Sequence, residues 1–269
     1  MNINDTQVPK SILDIISTGV DNFEKEVSIT EFNNIPDSNK IPKNPATTTW
    51  FRIKDVTCVY VDMIGSTKLS ATKRAKTMAK FYRLFTETIV RIFNDFKSPY
   101  IDVKGDGVFA LFNQDQVYRA LAAAVTVKTF VECEFIKEVE NYGSKDEKEI
   151  GAHIGIDRDT LLVRTLGLRM TEDRIDRQNE VWAGKTVNMA AKLASCSESG
   201  ELYVSDRYYN CITDKLVRNS CPCSDESNLW EETSLNDSKF DFNKAYILKS
   251  IWCAEHGADY CQKILKLED

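Results

Sequence analysis

The sequence predicts an α+β fold in which helices pack on a mixed β-sheet. β-prone runs alternate with amphipathic helical segments along the chain, and short turns join some of these runs as hairpins. Hairpins make neighbouring strands antiparallel, whereas intervening helices allow parallel pairing, so the sheet should contain both kinds. A hydrophobic content of 42% in 269 residues is enough to close one sizeable core.

Residues 1–49 are predicted to form an N-terminal helix and a linker arm. The helix should span residues 9–23, because Pro9 suits a first helical turn and apolar side chains recur on one side. Residues 33–49 are polar and contain several prolines, which indicates a linker or surface arm. For this arm, a disordered tail and a dimerisation element are both open interpretations.

Residues 50–214 should hold the sheet, beginning with a buried strand. Residues 56–61 are a continuous β-prone run that ends at Asp62, a pattern typical of a central strand. The remaining pattern predicts, in order, a long amphipathic helix over 70–96, a hairpin over 101–112, a helix over 116–139, a pair of strands at 150–157 and 160–167, a charged loop over 168–180, a helix over 184–195 and a strand over 201–205. Beyond Asp206 the pattern weakens, and residues 215–269 are interpreted as a C-terminal extension.

Composition excludes several classes of protein. A net charge of −6 argues against a clustered cationic surface for nucleic-acid backbones. The sequence contains no run of 18 apolar residues that could span a membrane, and its N-terminus does not resemble a secretory signal. We therefore expect a cytoplasmic protein whose eight cysteines are reduced. With only His153 and His256, mechanisms that need several imidazoles are excluded, and His153 in an apolar strand should be structural.

The first candidate site begins at Asp62, where a buried strand should deliver a carboxylate to the edge of the sheet. Residues 63–67 (Met-Ile-Gly-Ser-Thr) follow as a turn into the next helix. Free backbone amides at a helix N-terminus form a natural phosphate cradle. A simple helix cap, in which Ser66 or Thr67 accepts a backbone N–H, is the alternative interpretation.

The second candidate site is Gly105-Asp106-Gly107 at the hairpin tip, a composition that also suits an ordinary turn. A strand that ends in Asp62 and a neighbouring hairpin tipped by Asp106 can bring two carboxylates together with no cation between them. Such a pair either shares a proton or binds a divalent metal. Because oxygen ligands without histidine favour hard ions, Mg²⁺ or Mn²⁺ is the expected metal.

The third candidate site lies in residues 184–193 (GKTVNMAAKL), where Asn188 and Lys192 share one face of a predicted helix. An amide beside an ammonium group suits a ribose oxygen and a charged phosphoryl group. The alternative is an ordinary helix that buries Val187 and Ala191 and leaves Lys192 solvated.

Together these segments resemble the catalytic domain of class III nucleotidyl cyclases, the fold of adenylyl and guanylyl cyclases. The sequences VDMIGSTKL and KGDGVFALF resemble that family's two metal-aspartate segments, and GKTVNMAAKLAS and GELYVS resemble its catalytic helix and the following strand. The motifs occur in the family's order over about residues 51–214. The resemblance implies a ferredoxin-like domain that cyclises a nucleoside triphosphate to its 3′,5′-cyclic monophosphate and pyrophosphate, as a homodimer with sites at the interface.

The resemblance also implies a role for each matching residue. Asp62 and Asp106 would hold two Mn²⁺ or Mg²⁺ ions, together with the backbone carbonyl of Met63. Asn188 would orient the ribose. Lys192 stands where the family has an arginine that stabilises the transferring phosphate; lysine keeps the charge but lacks the bidentate fork. The amides that would cradle the β- and γ-phosphates belong to Ile64, Gly65, Ser66 and Thr67.

The purine-recognition pair of the family is missing. Asp102 stands where purine cyclases have a substrate-selecting lysine or glutamate, with Lys104 two residues later. The partner position aligns with Val181, or with Trp182 or Glu180 if the loop is shifted. In this respect the chain resembles the bacterial pyrimidine cyclases of Pycsar anti-phage systems, which implies a UTP or, second, a CTP substrate and a cyclic nucleotide alarm signal. A purine cyclase with unusual base readers and a catalytically silent nucleotide-binding module are the alternatives.

Five C-terminal residues could in principle assemble a zinc site. Their spacing fits no standard zinc knuckle, in which two residues usually separate paired ligands. We therefore interpret the thiols as unrelated, in a reducing compartment. The residues are Cys221, Cys223, Cys253, His256 and Cys261.

Overall fold

The computed structural model describes residues 8–142, 150–168, 177–223 and 228–268. Its strands are β1 (Ile29–Phe32), β2 (Trp50–Ile64), β3 (Tyr100–Lys104), β4 (Gly107–Phe112), β5 (Gly151–Leu168), β6 (Arg177–Gly184), β7 (Leu202–Ser205), β8 (Trp230–Ser234) and β9 (Lys244–Leu248). Its helices are α1 (Lys10–Phe23), α2 (Ser66–Thr72), α3 (Ala75–Tyr82), α4 (Thr88–Asp95), α5 (Val117–Phe130), α6 (Ile136–Tyr142), α7 (Lys185–Cys196), α8 (Asp206–Tyr209), α9 (Lys215–Arg218) and α10 (Gly257–Leu265). Five-residue π-helical turns join α3 to α4 and α5 to α6.

Strands β2 and β5 form the centre of a mixed sheet, which has nine strands over the described residues. The order across the sheet is β3-β4-β2-β5-β7-β9-β8. β5 pairs antiparallel with β2 and parallel with β7. β1 adds a parallel partner to the start of β2, and β6 adds an antiparallel partner to the end of β5. The predicted α+β fold with a mixed sheet is confirmed.

Helices cover both faces of the sheet at β2. On one face, the segments from α3 to α6 bury large aromatic side chains, among them Phe85 and Phe135, in a core with Val59 and Val61 of β2. On the other face, α7 packs through Ala190 into a second core. A strand covered on both faces needs apolar side chains in both directions, which explains the continuous apolar run that predicted β2.

The predicted pair of strands at 150–157 and 160–167 is wrong, because β5 runs without a turn from Gly151 to Leu168. No glycine or proline separates the two halves, and the middle of the strand stays paired with β2, with Val56 opposite Asp159. The hairpin partner of β5 is β6, so the end of the predicted charged loop over 168–180 is a strand. Residues 169–176 of that loop lie outside the described residues.

The predicted helix over 70–96 begins earlier and is interrupted. It starts at Ser66 as α2, and Lys73 and Arg74 then take extended backbone angles before α3 begins. The helices predicted over 9–23, 116–139 and 184–195, the hairpin over 101–112 and the strand over 201–205 are confirmed. No helix in the described ranges is both long and apolar enough to cross a lipid bilayer.

The arm between α1 and β2 packs onto the sheet, so the disordered-tail interpretation of residues 33–49 is wrong. Ile35 and Ile41 of the arm are buried. The guanidinium of Arg164, on β5, donates hydrogen bonds of 2.5–2.7 Å to three backbone carbonyl oxygens of the arm. By contrast, α1 leaves its apolar side uncovered, and Phe23 is 88% exposed.

Residues 206–223 and 228–268 continue the same sheet and helix layer. β9 pairs antiparallel with β7, and β8 pairs antiparallel with β9. α10 contacts α5 and α9. The predicted boundary after Asp214, between a catalytic domain and a C-terminal extension, stays a prediction.

Candidate active site

The alternation of side chains along β2 places Asp62 on the face of the sheet that carries α7. Val61 and Met63 point into the core on the opposite face, where they are buried. Tyr60 lies on the α7 face with Asp62, and both are half-buried. Opposite Asp62 on β5 is His153, whose Nδ1 donates to the backbone oxygen of Ser197 at 2.6 Å, as expected for a structural histidine.

The hairpin of β3 and β4 brings its turn against Asp62. β4 pairs with β2 so that Val108 stands opposite Val61, and Gly105 makes the turn possible with φ +67°. A Cβ atom built on Gly107 would lie 2.9 Å from Tyr60 Oη and 3.3 Å from Asp62 Oδ1. Asp106 directly precedes this glycine, so the two residues predicted to bind metal are neighbours in the fold.

The electrostatics of this site are dominated by burial and by the repulsion between two neighbouring carboxylates. Burial raises the pKa of Asp62, and the Asp106 carboxylate raises it further, while His153 and the backbone N–H of Met63 act in the opposite direction. Burial and the same two carboxylates also raise the pKa of the Tyr60 phenol. A divalent cation would offset this repulsion, and an all-oxygen donor set suits Mg²⁺ or Mn²⁺.

The turn after Asp62 leads directly into α2. Gly65 precedes the helix with φ +80°, a left-handed conformation that favours glycine. The first turn of α2 contains Ser66 and Thr67, and amides in a first helical turn have no partner within the helix. Neither side chain caps the helix, so the alternative of a simple Ser or Thr cap is not what the structure shows.

Helix α7 lies close against β5 on the same face of the sheet as Asp62. A Cβ atom on Gly155 would stand 2.1 Å from the backbone oxygen of Ala190 and 2.4 Å from the backbone nitrogen of Ala194. Gly155 is paired with Tyr60 across β2 and β5. Only a residue without a side chain permits this approach. Gly155 therefore determines how closely α7 packs on the centre of the sheet.

Asn188 and Lys192 of α7 do not meet the carboxylates of their own chain. Asn188 is exposed, and its Nδ2 donates to the backbone oxygen of Gly184 at 3.3 Å. Lys192 Nζ donates to the backbone oxygen of Lys239 at 2.7 Å. Within the described ranges, no hydrogen bond or ion pair joins either side chain to Asp62 or Asp106. One chain therefore does not assemble all the predicted site residues.

The predicted base-reading positions converge around a tyrosine that sequence reasoning missed. Asp102 forms a 2.9 Å ion pair with Lys104. Tyr100, two residues before Asp102, packs against Trp182 of β6 with ring centroids 4.7 Å apart. Burial raises the pKa of Tyr100 to about 12, and the carboxylates of Asp102 and Glu180 act in the same direction. Side chains two residues apart on a strand lie on the same face of the sheet. This rule, applied to Asp102 and Asp62, identifies Tyr100 and Tyr60 as their neighbours.

The fold matches solved nucleotidyl cyclase structures. The adenylyl cyclase CyaB from P. aeruginosa superposes with a TM-score of 0.60 at 19% sequence identity, covering 75% of this chain and 96% of that one. The guanylyl cyclase Cya2 superposes with a TM-score of 0.57 at 19% identity, covering 73% of this chain and 91% of that one. At these identities the similarity shows the fold alone.

Sequence comparison shows the family. This chain is 32% identical over 260 residues to the uridylate cyclase of Propioniciclava tarda, covering 91% of this chain and 82% of the relative. It is also 32% identical over 223 residues to the uridylate cyclase of Micromonospora echinofusca, covering 81% of this chain and 71% of the relative. Residues 50–230 match the adenylate and guanylate cyclase catalytic domain. The chain therefore carries the catalytic domain of a nucleotidyl cyclase and belongs to the adenylate and guanylate cyclase family.

Proposed function

We propose that this chain converts UTP to the 3′,5′-cyclic monophosphate and pyrophosphate. The observation that carries the proposal is the approach of the Asp106 turn to Asp62, whose Oδ1 lies 3.3 Å from the Cβ position of Gly107. Relatives named uridylate cyclase support the same reaction. In it, the ribose 3′-oxygen attacks the α-phosphorus, the bond from that phosphorus to the β-phosphate oxygen breaks, and the hydroxyl proton passes to solvent.

The carboxylates of Asp62 and Asp106 and the backbone carbonyl of Met63 would hold two Mn²⁺ or Mg²⁺ ions. Their oxygen donors fit hard cations, and the raised pKa of Asp62 beside Asp106 fits a site that a cation completes. When bound, the ions acidify the ribose hydroxyl and offset charge on the phosphates.

The turn into α2 would hold the triphosphate, and α7 would hold the ribose and the reacting phosphate. Backbone amides at a helix start attract phosphate oxygens; here they belong to Ile64, Gly65, Ser66 and Thr67. Asn188 would orient the ribose. Lys192 would leave the carbonyl of Lys239 and neutralise charge on the α-phosphate as the new bond forms.

The enzyme would act as a homodimer with its sites at the interface. In one chain, Asn188 lies on the exposed side of α7 and makes no hydrogen bond to Asp62 or Asp106 among the described residues. A two-fold axis would place α7 of each chain opposite the carboxylates of the other and create two equivalent sites.

We infer a pyrimidine substrate from the residues at the base-reading positions. Lys104 neutralises Asp102, and the aromatic pair of Tyr100 and Trp182 fills space beside them. A purine has a second ring and needs more room than uracil or cytosine. UTP is preferred to CTP because both relatives described above are named uridylate cyclase.

The cyclic nucleotide would serve as a second messenger in anti-phage defence, as the resemblance to Pycsar cyclases implies. The catalytic domain would span residues 50–214, with residues 215–269 as an extension. We place the enzyme in the cytoplasm, where its nucleoside triphosphate substrates are made.

The test is a direct product assay. Purified full-length chain is incubated separately with ATP, GTP, UTP and CTP in the presence of Mn²⁺, and products are identified by mass spectrometry. We expect cyclic UMP to dominate, with cyclic CMP second and purine products at least about tenfold lower, which corresponds to 1.4 kcal/mol of discrimination.

Two other results would replace this proposal. Efficient formation of cyclic AMP or cyclic GMP with negligible pyrimidine product would make the chain a purine cyclase with unusual base readers. No product from any of the nucleotides, despite nucleotide binding measured by calorimetry, would make it a silent binding module.

A further inference from the structure

Two pairs of side chains, one on each side of β8 and β9 in the sequence, meet in the C-terminal part of the chain. Cys221 and Cys223 follow α9, and Cys253 and His256 precede α10. One ligand atom from each lies within 4.8 Å of all the others, which makes these residues a potential metal site. Cys261, the fifth residue considered from the sequence, is not part of this cluster.

Four of the six distances between the ligand atoms lie between 3.0 and 3.7 Å, and the other two are within 4.8 Å. Cys223 Sγ lies 3.0 Å from Cys221 Sγ and 3.2 Å from Cys253 Sγ. Nδ1 of His256 lies 3.4 Å from Cys221 Sγ and 3.7 Å from Cys253 Sγ. Tetrahedral zinc with Zn–S bonds of about 2.3 Å separates two sulfurs by about 3.7 Å, so an ion fits if each sulfur moves by a few tenths of an ångström.

We propose that Cys221, Cys223, Cys253 and His256 bind one structural zinc ion. Three thiolates and one imidazole are a standard ligand set for zinc, and four protein ligands close the coordination sphere, as in structural sites. Three of the four thiols predicted to be unrelated lie together with His256, whereas Cys261 does not. Two residues separate Cys253 from His256, which is the usual spacing of paired zinc ligands, although only one separates Cys221 from Cys223.

The backbone around Cys253 is arranged as a ligand loop. Gly257 N donates to the backbone oxygen of Cys253 at 2.7 Å, which closes a tight turn between the two proposed ligands. His256 directly precedes α10, so its ring position is fixed by the start of that helix.

The proposed ion would join the segment that contains Cys221 and Cys223 to the segment that contains Cys253 and His256. The ligand loop with Cys253 is anchored to α5, because Trp252 donates from its indole Nε1 to Thr126 Oγ1 at 2.8 Å and from its backbone to Thr129 Oγ1 at 3.2 Å. The segment with Cys221 and Cys223 follows α9 and precedes β8. Zinc would link the two segments and so close a loop of the chain that contains β8 and β9.

This site is chemically distinct from the pair Asp62 and Asp106. Thiolate and imidazole ligands select zinc, whereas carboxylate oxygens suit Mg²⁺ and Mn²⁺. The proposal therefore does not depend on the substrate or the reaction of the enzyme.

The first test is the metal content of full-length chain purified under reducing conditions without added metal. Elemental analysis by mass spectrometry should find about one zinc per chain, because a closed site of four protein ligands holds one ion. Cys253→Ser should lower the zinc content at least about tenfold, because a structural site that loses one of its thiolate ligands loses most of its affinity for zinc. Cys261→Ser, a thiol from the same region, and Cys211→Ser, an exposed thiol elsewhere, should retain the ion.

A second measurement on the unmodified chain keeps the test decisive if Cys253→Ser does not fold. X-ray absorption at the zinc edge should show three sulfur neighbours at about 2.3 Å and one nitrogen at about 2.0 Å. A double variant, Asp62→Asn with Asp106→Asn, should keep its zinc, which separates this ion from any bound at the active site.

Three results would overturn the proposal. The first is wild-type chain without zinc under reducing conditions. The second is zinc that stays in Cys253→Ser or leaves with the aspartate double variant. The third is an intact mass lower by two hydrogens, which would indicate a disulfide among these cysteines instead of a metal site.

Discussion

Asp62 and Asp106 repel each other in the folded chain, so their proposed catalytic role can be tested separately from any structural role. The Asp106 carboxylate raises the pKa of Asp62 in addition to the effect of burial. A like charge beside a carboxylate destabilises its ionised form, so this pair costs stability in the folded chain. Removal of either charge should therefore damage catalysis without damaging the fold.

We predict that Asp62→Asn and Asp106→Asn each lower the rate of cyclisation by at least about a thousandfold, because metal ions contribute several kcal/mol to such reactions. In buffer without divalent cations, the melting temperature of each variant should stay the same or rise, since one of two like charges is gone. Asp115→Asn, a change at an exposed aspartate after β4, should alter neither quantity. Substantial turnover in either variant, or a large fall in its melting temperature, would contradict the assignment.

At the scale of secondary structure elements, the approach of α7 to the sheet depends on one glycine. The Cβ position of Gly155 lies 2.1 Å from a backbone oxygen of α7, and backbone atoms cannot move aside as a flexible side chain can. Any side chain at residue 155 must displace α7. Asn188 and Lys192 would move with it.

Gly155→Ala should therefore destabilise the protein by about 1–3 kcal/mol or more, the usual cost of overpacking, and should lower activity as α7 shifts. Gly19→Ala is the matched control, because Gly19 lies in α1 with nothing within 4 Å of its Cβ position. This control should stabilise the chain by about 0.5–1 kcal/mol, since alanine favours a helix. Urea unfolding measures both, and equal stability of the two variants would show that α7 does not pack as closely as described.

The elements also show where prediction from sequence stops. The start of α7 and the hairpin at Asp106 could be predicted, because apolar periodicity and turn residues are local signals. The continuity of β5 could not, because Arg158 and Asp159 resemble a turn in composition but are paired with β2. The packing of Tyr100 against Trp182 could not either, since it depends on how β6 folds back beside β5.

At the scale of the whole molecule, no hydrogen bond or ion pair among the described residues joins the two groups of the proposed site within one chain. The turn of Asp106 lies against Asp62 at the end of β2, while the Nζ of Lys192 is engaged by the backbone of Lys239. Both groups lie on the face of the sheet that carries α7. A two-fold arrangement of two chains would let each group meet its counterpart.

This arrangement predicts complementation between two inactive variants. A chain with Asp62→Asn and a chain with Asn188→Ala should each be inactive alone, because every interface in either homodimer carries a lesion. In the mixed dimer, one interface carries both lesions and the other carries neither. After free exchange of chains, half of the dimers are mixed and each has one intact site, so activity should recover to about a quarter of the wild-type value per chain. Mixed dimers purified through two different affinity tags provide the control for exchange. If such dimers form and stay as inactive as their parents, the carboxylates and α7 do not combine across a shared interface.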